Sequence, residues 1–547
     1  MSAAAVLVLS WMTTEHFPPW VSWHSDVLVF FAVFLLAWVA VIRRFRSNSS
    51  RIEIPRLIAP FALIAVIAIF QASTGIITFW GDAIVVLFFQ ALCAACVLLG
   101  FNAKREPPDL LAAAFVLGAF ASTIVAFAQM FDLWPNSAWV ARMPELRRPG
   151  GNLGQPNHLA TLIVLGIASV ALVHSRGRIS SLLSAAVLLV LCTGLAITES
   201  RGGALALVVL LVWWQLKRAH IARNVPVWAG PVLGVVFLFM AMAWPALLNV
   251  LHLAGSAENR FVQGDVRMVM WPQMLEAILQ RPWQGWGILE VPEAHNAVAH
   301  VTPSTSLSYS HNLFIDFAVW MGIPIALLLA TAMGVWFVRR LVAANGLTSW
   351  YCLAVLLALA IHAMLEFPFA YAYFLAPALF LAGVLERSVG VPEVLRARPG
   401  PVLAILLVCS SAMIWSVMEY LAIEEDFRIV RFEQLRIGNT AADHHIPQVV
   451  MLTQLGALLS GSRIELRPAM PAEDLDRLRS LAMRFPWIAT QYRYAFALAL
   501  NGQQQEAVRQ FQVLRMQRGE KIYEKVKTEI NEMAKTRYPQ LRTLTLP

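Results

Sequence analysis

The residues that could do chemistry in this chain lie in four short polar segments between long apolar runs. The segments, with their candidate residues, are 147–158 with Arg148, Gln155, Asn157 and His158, 198–203 with Arg201, 258–267 with Arg267, and 309–312 with His311 and Asn312. Arginine binds phosphate oxygens through a planar guanidinium that stays charged. Histidine can accept a proton from a hydroxyl near neutral pH. Arginines and a histidine on one face therefore suit a diphosphate and an incoming alcohol.

Each segment also has a structural interpretation. The first can be a capped helix start after a Gly-Pro turn. Arg201 can be a snorkelling arginine, although these are expected mostly on the cytoplasmic side of a membrane. Arg267 can pair with Asp265 or Glu276 on a surface. A lone interfacial histidine is more often structural, but the hydroxyls and the amide that flank His311 can fix its tautomer, as a general base requires.

A fifth, weaker polar cluster lies near the end of a late apolar run. His362 and Glu366 are spaced i, i+4, and Pro368, Tyr371 and Tyr373 follow them. The polar loops contain no Asp-x-Asp pair and no cluster of histidines and carboxylates, so the sequence predicts neither a metal site nor another cofactor.

The composition places these segments in a membrane protein. The chain has 547 residues, of which 59% are hydrophobic and 14% charged, and its mean hydropathy is +0.63. Soluble domains carry about a quarter charged residues, so a soluble enzyme is excluded, and disorder needs lower hydrophobicity. The net charge of +9 indicates basic cytoplasmic loops and not nucleic-acid binding. The five cysteines lie in apolar runs and are interpreted as small hydrophobic residues.

Apolar runs of near-spanning length predict about 13 transmembrane helices, because a bilayer core needs about 20 residues per helix. The runs lie near 3–12, 27–42, 57–72, 83–101, 110–131, 159–173, 181–198, 203–216, 227–248, 313–338, 350–366, 371–386 and 401–420.

Basic residues set the orientation of these spans. Every even-numbered span ends in a basic loop, with Arg43, Arg44 and Arg46, then Lys104 and Arg105, Arg176 and Arg178, Lys217, Arg218 and Arg223, Arg339 and Arg340, and Arg387, Arg396 and Arg398. The positive-inside rule makes these loops cytoplasmic. The remaining loops, including the long loops 131–156 and 249–310, then face the periplasm of a bacterial inner membrane. All four polar segments fall on that periplasmic side.

The chain divides into two predicted domains. Residues 1–420 form the transmembrane domain, and residues 421–547 have the composition of a soluble helical domain on the periplasmic side. Glu473–Arg484 shows helical spacing, and Tyr492–Leu500, Asn501-Gly502 and Gln505–Leu514 predict helix, turn and helix. This hairpin is similar to one tetratricopeptide unit. The predicted fold is therefore an all-α, polytopic membrane bundle with a periplasmic helical domain.

At the polar segments the chain resembles a known family. The string Gly151–Ala160, which reads GNLGQPNHLA, resembles the signature of bacterial protein O-oligosaccharyltransferases of the PglL type. Ser200–Gly203, the Arg267 segment and Ser310–Asn312 resemble motifs of the wider O-antigen ligase and polymerase superfamily. His362 to Pro368, with Tyr371 and Tyr373, is similar to a later motif of the same superfamily.

The resemblance implies a metal-independent glycosyltransferase. Such an enzyme moves an oligosaccharide en bloc from undecaprenyl diphosphate to Ser or Thr hydroxyls of periplasmic proteins such as type IV pilins. By resemblance, His311 is the essential histidine, Arg201 and Arg267 hold the diphosphate, and Gln155 is functionally required. Eight residues are assigned to substrate binding: Arg148, Gln155, Asn157, His158, Asn312, Glu366, Tyr371 and Tyr373. Many relatives have tyrosine where this chain has Phe367, so Tyr371 or Tyr373 supplies that hydroxyl or the role is absent.

Two alternatives remain open at this stage. An O-antigen ligase or polymerase would perform the same chemistry on lipid A core or on glycan. A lipid-glycan transporter would need ionisable residues through mid-membrane, whereas Asp82, Asp109 and Asp316 lie near the ends of their runs. In the implied glycosyl transfer, a single displacement would invert the configuration at the anomeric carbon.

Overall fold

The protein is mostly helical. The computed structural model describes residues 2–47, 51–103, 108–134, 136–143, 148–221, 225–251, 267–441 and 444–546. Within these ranges the helices are α1 Ser2–Met12, α2 Trp23–Ser47, α3 Ala59–Ser73, α4 Trp80–Phe101, α5 Pro108–Met130, α6 Pro156–Ser175, α7 Ser181–Ile197, α8 Arg201–Ile221, α9 Ala229–Val250, α10 Arg267–Gln280, α11 Val291–Val298, α12 Leu313–Ala343, α13 Leu347–Ala363, α14 Ala372–Ser388, α15 Pro399–Leu435, α16 Thr453–Ser462, α17 Ala472–Arg484, α18 Ile488–Leu500, α19 Gln504–Arg518 and α20 Glu520–Thr536. Two short strands, β1 Ile52–Ile54 and β2 Leu395–Ala397, pair antiparallel.

Every predicted apolar run forms a helix. In the described part of the chain, eight helices are long and apolar enough to cross a membrane: α2, α4, α5, α6, α9, α12, α15, and α3 taken together with the short 3₁₀ turn before it. Helices α1, α7 and α13 are apolar but shorter. The protein is therefore a multi-pass membrane protein, and the predicted total of about 13 spans stays a prediction.

Two helices differ from the sequence prediction. Helix α12 is broken at Gly322, whose φ of 77° and ψ of 168° are not helical. At the break, backbone amides of the preceding loop donate hydrogen bonds to carbonyl groups of α12. The amide of Trp286 donates to the Val319 carbonyl, and that of Gly287 donates to the Trp320 carbonyl. Helix α15 continues to Leu435, fifteen residues beyond the compositional change at Tyr420, so the helix does not end where the composition changes.

The contacts group the chain into two compact units that interleave in sequence. The first unit comprises Met1–Ala62, Phe89–Gln263 and Ala332–Ser410, and the second comprises Leu63–Phe88, Gly264–Thr331 and Ser411–Pro547. Residues 411–547 thus share a unit with two segments from the first 420 residues. The domain boundary at residue 420 stays a prediction.

In the first unit, the six predicted basic loops meet at one end of the helices. Their contacts are Arg44 Nη1 to Asn102 Oδ1 (2.7 Å), Arg387 Nη1 to Glu53 Oε2 (2.8 Å), Arg176 to Asp109, Arg176 Nη2 to Thr348 Oγ1 (3.2 Å), Lys217 Nζ to the Ala344 carbonyl oxygen (2.9 Å), and Arg340 to Glu386. Lys104, Arg105 and Arg223 lie outside the described residues. These contacts agree with the grouping that the charge pattern predicts.

The loops at the other helix ends of the first unit also contact one another. The contacts are Asn152 Nδ2 to the Met12 carbonyl oxygen (3.0 Å), Arg148 Nε to the Thr198 carbonyl oxygen (2.9 Å), Ser200 Oγ to Asn157 Oδ1 (2.7 Å), Asn157 Nδ2 to Glu366 Oε1 (2.9 Å), and the Ala372 amide to Asp26 Oδ1 (2.8 Å). The polar motif segments of this unit are therefore gathered at a single end.

In the second unit, the C-terminal helices pack against the segments 63–88 and 264–331. Arg484 of α17 forms an ion pair with Asp82 at 2.7 Å, and the Asp82 side chain is 1% exposed. Nearby, Glu290 accepts a hydrogen bond from the Thr78 amide at 3.1 Å. Burial raises the pKa of Glu290 to about 8, although Arg484 lowers it. This buried charge cluster fixes α17 to the start of α4.

The predicted helix–turn–helix is present. Helices α18 and α19 flank the turn at Asn501-Gly502, and Ala495, Ala499 and Ala507 are buried where the helices meet. Small side chains allow such close helix packing. The hairpin is thus confirmed, and its assignment to the tetratricopeptide class stays a prediction.

Candidate active site

The GNLGQPNH string forms a tight turn that leads into α6. Gly151 has a φ of +59°, in the left-handed region that favours glycine. A Cβ atom there would lie 3.0 Å from the Ser122 carbonyl oxygen. Gln129 of α5 holds the turn, because its Oε1 accepts from the Gly151 amide at 2.9 Å and its Nε2 donates to the Gly151 carbonyl at 3.1 Å. The glycine is required by this close approach of two backbones.

Asn152 organises the loop that precedes α6. Its side chain is 1% exposed. The amide nitrogen donates to the carbonyl oxygens of Met12 and Trp139, and Oδ1 accepts from the Ala141 amide. His16 Nε2 lies 2.6 Å from the Asn152 carbonyl oxygen. Asn152 thus holds the loop in place. The residue type alone does not show whether an asparagine in such a motif has this structural role or binds substrate.

Gln155 starts α6. It is the N-cap residue, and its side-chain oxygen accepts a hydrogen bond from the His158 amide at 2.8 Å. Pro156 follows at the first helical position, which needs no amide donor. The structural interpretation of this segment, a capped helix start after a Gly-Pro turn, is therefore present. A role of Gln155 in substrate binding stays a prediction.

Asn157 joins two segments that are distant in sequence. Its Nδ2 donates to Glu366 Oε1 at 2.9 Å, and its Oδ1 accepts from Ser200 Oγ at 2.7 Å. Ser200 Oγ in turn accepts from the Gly203 amide at 3.1 Å, in the first turn of α8. Glu366, Asn157 and Ser200 therefore form a continuous hydrogen-bonded chain, which we call the relay. It ends at the residue before Arg201.

A cluster of rings surrounds His158. The His158 Nδ1 atom lies 3.0 Å from the Tyr373 hydroxyl, and the Tyr371 ring packs against His158 with centroids 4.5 Å apart. Below them, Thr161 Oγ1 lies 2.9 Å from His362 Nδ1. His158 is 2% exposed and Tyr373 is likewise 2% exposed. Two predicted tyrosines and both histidines thus share one polar cluster, in which Tyr371 is half-buried and the other three are buried.

Arg148 contacts the turn between α7 and α8 that leads to Arg201. Arg148 Nε donates to the carbonyl oxygen of Thr198, three residues before Arg201. Arg201 begins α8 and is exposed. Glu199, which lies between Thr198 and Arg201 in the same turn, has a φ of 49°, which is uncommon for a residue with a side chain. The first unit therefore brings Arg148, Arg201, Gln155, Asn157, His158, Glu366, Tyr371 and Tyr373 to the same end.

The second unit holds His311, Asn312 and Arg267. His311 has a φ of 60°, a strained conformation that must be held by its surroundings. Its neighbours are fixed, because the Ser310 amide donates to Asp316 Oδ1 at 2.7 Å and Asn312 Oδ1 accepts from the Phe314 amide at 3.0 Å. The loop therefore presents His311 in one defined backbone conformation.

Arg267 belongs to a helix that contacts the His311 loop. Trp271 Nε1 donates to the Ser310 carbonyl oxygen at 3.0 Å. Trp271 is four residues from Arg267 in α10, so the two side chains lie on the same helix face. The second unit thereby brings the face that carries Arg267 to the loop that carries His311. Glu258, Asn259, Arg260 and Asp265, which the sequence groups with Arg267, lie outside the described residues.

Sequence reasoning missed two supporting residues. From the sequence, Ser200 is only part of the Ser200–Gly203 motif and Asp316 is only a carboxylate near a helix end, yet each holds a motif residue in place. A signal is available for Ser200, because a serine directly before the first residue of a helix is a typical N-cap. Asp316 is the fourth residue of α12 and gives no such signal. In the part of the chain that the structure describes, no group of three metal-ligating side chains comes together. Metal independence stays a prediction.

Three family models match the chain. The model described as protein glycosylation ligase matches residues 149–172, which contain the GNLGQPNH turn and most of α6. The model for O-antigen ligase matches residues 185–330, and that for virulence factor membrane-bound polymerase, C-terminal, matches residues 350–530. Together they include residues of both units and leave residues 1–148 unmatched.

Two curated proteins of Acinetobacter baylyi are similar to the chain over long stretches. The general O-oligosaccharyltransferase is 24% identical over 542 residues, covering 93% of this chain and 91% of the relative. The ComP-specific O-oligosaccharyltransferase is 25% identical over 347 residues, covering 62% of this chain and 63% of the relative. By the matched family models and these relatives, the chain is similar to PglL-type O-oligosaccharyltransferases of the O-antigen ligase superfamily.

Proposed function

We propose that the protein transfers an oligosaccharide from a lipid diphosphate to hydroxyl groups of periplasmic proteins. The observation that carries the proposal is the similarity to a general O-oligosaccharyltransferase over 93% of the chain. The gathering of Arg148, Arg201 and the relay at one end of the first unit supports it. We further propose undecaprenyl diphosphate as the carrier, Ser and Thr of pilin-like proteins as acceptors, and the bacterial inner membrane as the location.

In the proposed reaction, Arg201 and Arg267 hold the diphosphate of the same donor. As the bond between the anomeric carbon and the diphosphate oxygen breaks, its electron pair passes to the diphosphate. The guanidinium groups stabilise the growing negative charge, an effect worth a few kcal/mol per preorganised group. Arg148, next to the Arg201 turn, adds a third positive charge.

His311 provides the general base of the proposed reaction. The acceptor hydroxyl oxygen attacks the anomeric carbon, and its proton passes to His311. Positioned bases of this kind contribute about 10²–10⁴-fold in rate. A single displacement from the side opposite the diphosphate inverts the anomeric carbon. No step requires a metal ion, so we expect full activity in the presence of a chelator.

A second candidate function is supported by the family models for O-antigen ligase and for membrane-bound polymerase. The donor chemistry would be the same, and the acceptor would be lipid A core or another glycan. The protein glycosylation ligase match over the GNLGQPNH turn favours a protein acceptor.

The proposal can be tested by co-expression with a pilin and a lipid-linked glycan in a host that lacks glycosyltransferases of this family. We expect the intact mass of the pilin to increase by the mass of one glycan, and His311→Ala to abolish the increase at an unchanged protein level. Glycan on lipopolysaccharide and an unmodified pilin would favour the ligase. Full modification in His311→Ala would refute the base assignment.

A further inference from the structure

The first unit contains a cavity at the end where the basic loops meet. Its volume is about 790 Å³, within the range of small-molecule sites. The lining comes from the ends of six helices, α4, α5, α6, α12, α13 and α14. The polar lining residues are Asp109, Arg176, Arg178, Asn345, Thr348, Ser349, Arg387 and Ser388. None of the residues proposed to act on the glycan lines this cavity.

The charges around the cavity favour an anion. Arg176 pairs with Asp109, and Arg387 donates to Glu53 at 2.8 Å. Arg178 is exposed and forms no ion pair within the described ranges. Among the described lining residues, three arginines face one aspartate, and the sum stays positive when Glu53 is also counted. Thr348 and Ser349, at the amino end of α13, add hydroxyl groups to the same wall.

Exposed leucines follow two of the lining residues closely in sequence. Leu110, which follows Asp109, is 45% exposed, and Leu182, four residues after Arg178, is 83% exposed. Both leucines belong to apolar helices, α5 and α7. A ligand with a phosphate and hydrocarbon chains would satisfy both surfaces, whereas a free phosphate would satisfy only the arginines. Basic pockets between membrane helices on the cytoplasmic side commonly hold anionic lipid headgroups.

We propose that this cavity binds the phosphate of an anionic membrane phospholipid, with the acyl chains along the exposed leucines of α5 and α7. The predicted orientation places the site in the cytoplasmic leaflet, away from the proposed transfer reaction. The site is independent of the proposed function, because it uses different residues and needs no glycan donor.

The test measures lipid retention on the full-length protein by native mass spectrometry. The protein is purified in detergent with phosphatidylglycerol, with phosphatidylcholine, or with inorganic phosphate alone. We expect phosphatidylglycerol to bind most tightly, and its affinity to fall about fivefold in Arg178→Gln, since one arginine near a lipid surface contributes on that order. Raised salt should weaken binding because it screens the charges.

The matched control is Arg396→Gln. Arg396 lies in β2, outside the cavity, and its side chain is 59% exposed. This variant removes the same charge and should retain phosphatidylglycerol like the unchanged protein. Asp109→Asn removes a negative charge from the cavity wall and should raise the affinity, which gives a second test of opposite sign. Equal retention in Arg178→Gln and Arg396→Gln would overturn the proposal, as would displacement of the lipid by inorganic phosphate at equal concentration.

Discussion

The relay from Glu366 through Asn157 to Ser200 predicts that two motif residues act by positioning Arg201 and not by contacting substrate. Asn157→Asp keeps an acceptor for the Ser200 hydroxyl, 2.7 Å away, but removes the donor to Glu366 at 2.9 Å. The variant then holds two carboxyl groups in hydrogen-bond contact, and their repulsion is on the order of 4 kcal/mol when both are ionised. The lost hydrogen bond to the carboxylate adds about 1.5–3 kcal/mol.

This strain is expected to shift the first turn of α8, where Arg201 begins. A displacement of catalytic groups by about 1 Å reduces rates by about 10²-fold. We therefore expect kcat for glycan transfer to fall about 10²-fold in Asn157→Asp, with little change in KM for the acceptor protein. Asn157→Asp combined with Glu366→Gln places an amide donor opposite the new carboxylate. The double variant restores the hydrogen bond between positions 157 and 366 with donor and acceptor exchanged and keeps the acceptor for Ser200, so kcat should recover to within about tenfold.

The assay follows transfer from a lipid-linked glycan to a purified acceptor, with both single variants, the double variant and the unchanged protein. Glu366→Gln alone keeps an oxygen acceptor for Asn157 and should lose little activity. A double variant as inactive as Asn157→Asp would refute the positioning role, because residues that contact the substrate would not be rescued by an exchange between themselves.

Three further predictions address local structure. Gln155→Glu keeps the side-chain acceptor for the His158 amide and should retain stability. Gln155→Ala should lower the free energy of unfolding by about 1 kcal/mol. Loss of activity in both variants would indicate that the Gln155 amide binds substrate. Arg484→Met leaves the buried Asp82 carboxylate unpaired and should destabilise the protein by about 3–5 kcal/mol, measured against Arg477→Met, whose arginine pairs on an exposed surface. His295 lies between Gln517 and Gln273, and burial lowers its pKa to about 4. On acidification the unfolded chain binds a proton at this histidine near pH 6.5, whereas the folded protein does so only near pH 4, so the free energy of unfolding should fall by up to ~3 kcal/mol between these pH values. Hydrogen exchange in α11 and α19 would detect this fall, and an equal pH response in His295→Gln would contradict it.

Local patterns in the sequence predicted the helices well. Helix α17 ends at Arg484, and the Asn501-Gly502 turn separates α18 from α19, as the periodicity indicates. A capped start of α6 is one of the two interpretations that the sequence leaves open, and Gln155 is the cap. These features depend on residues a few positions apart, and local spacing is sufficient to reveal them.

Long-range pairing could not be predicted from the same patterns. Asn157 and Glu366 are 209 residues apart, and nothing in either segment specifies the other. The break at Gly322 was missed because glycine and the residues around it do not lower the hydropathy of the run. Its cause lies in the loop of Trp286 and Gly287, whose amides bind carbonyl groups of α12.

The number of spans illustrates a different limit. Within the described residues, apolar runs located the eight helices that are long and apolar enough to cross a membrane, but α1, α7 and α13 are shorter than a typical span. Buried helices of a large bundle can be as apolar as spanning ones, so composition alone does not distinguish them. The charge pattern was more informative, because the six basic loops do contact one another in the first unit.

The central claim is that this single chain transfers an intact glycan from a lipid diphosphate to a protein hydroxyl without a metal. The most direct measurement combines purified protein, undecaprenyl-diphosphate-linked oligosaccharide and a purified pilin in the presence of EDTA, followed by intact mass spectrometry of the pilin. We predict a mass increase of one glycan on a Ser or Thr, absent in His311→Ala. An unchanged pilin, together with faster movement of the lipid-linked glycan across liposome membranes, would instead identify a transporter and contradict the account.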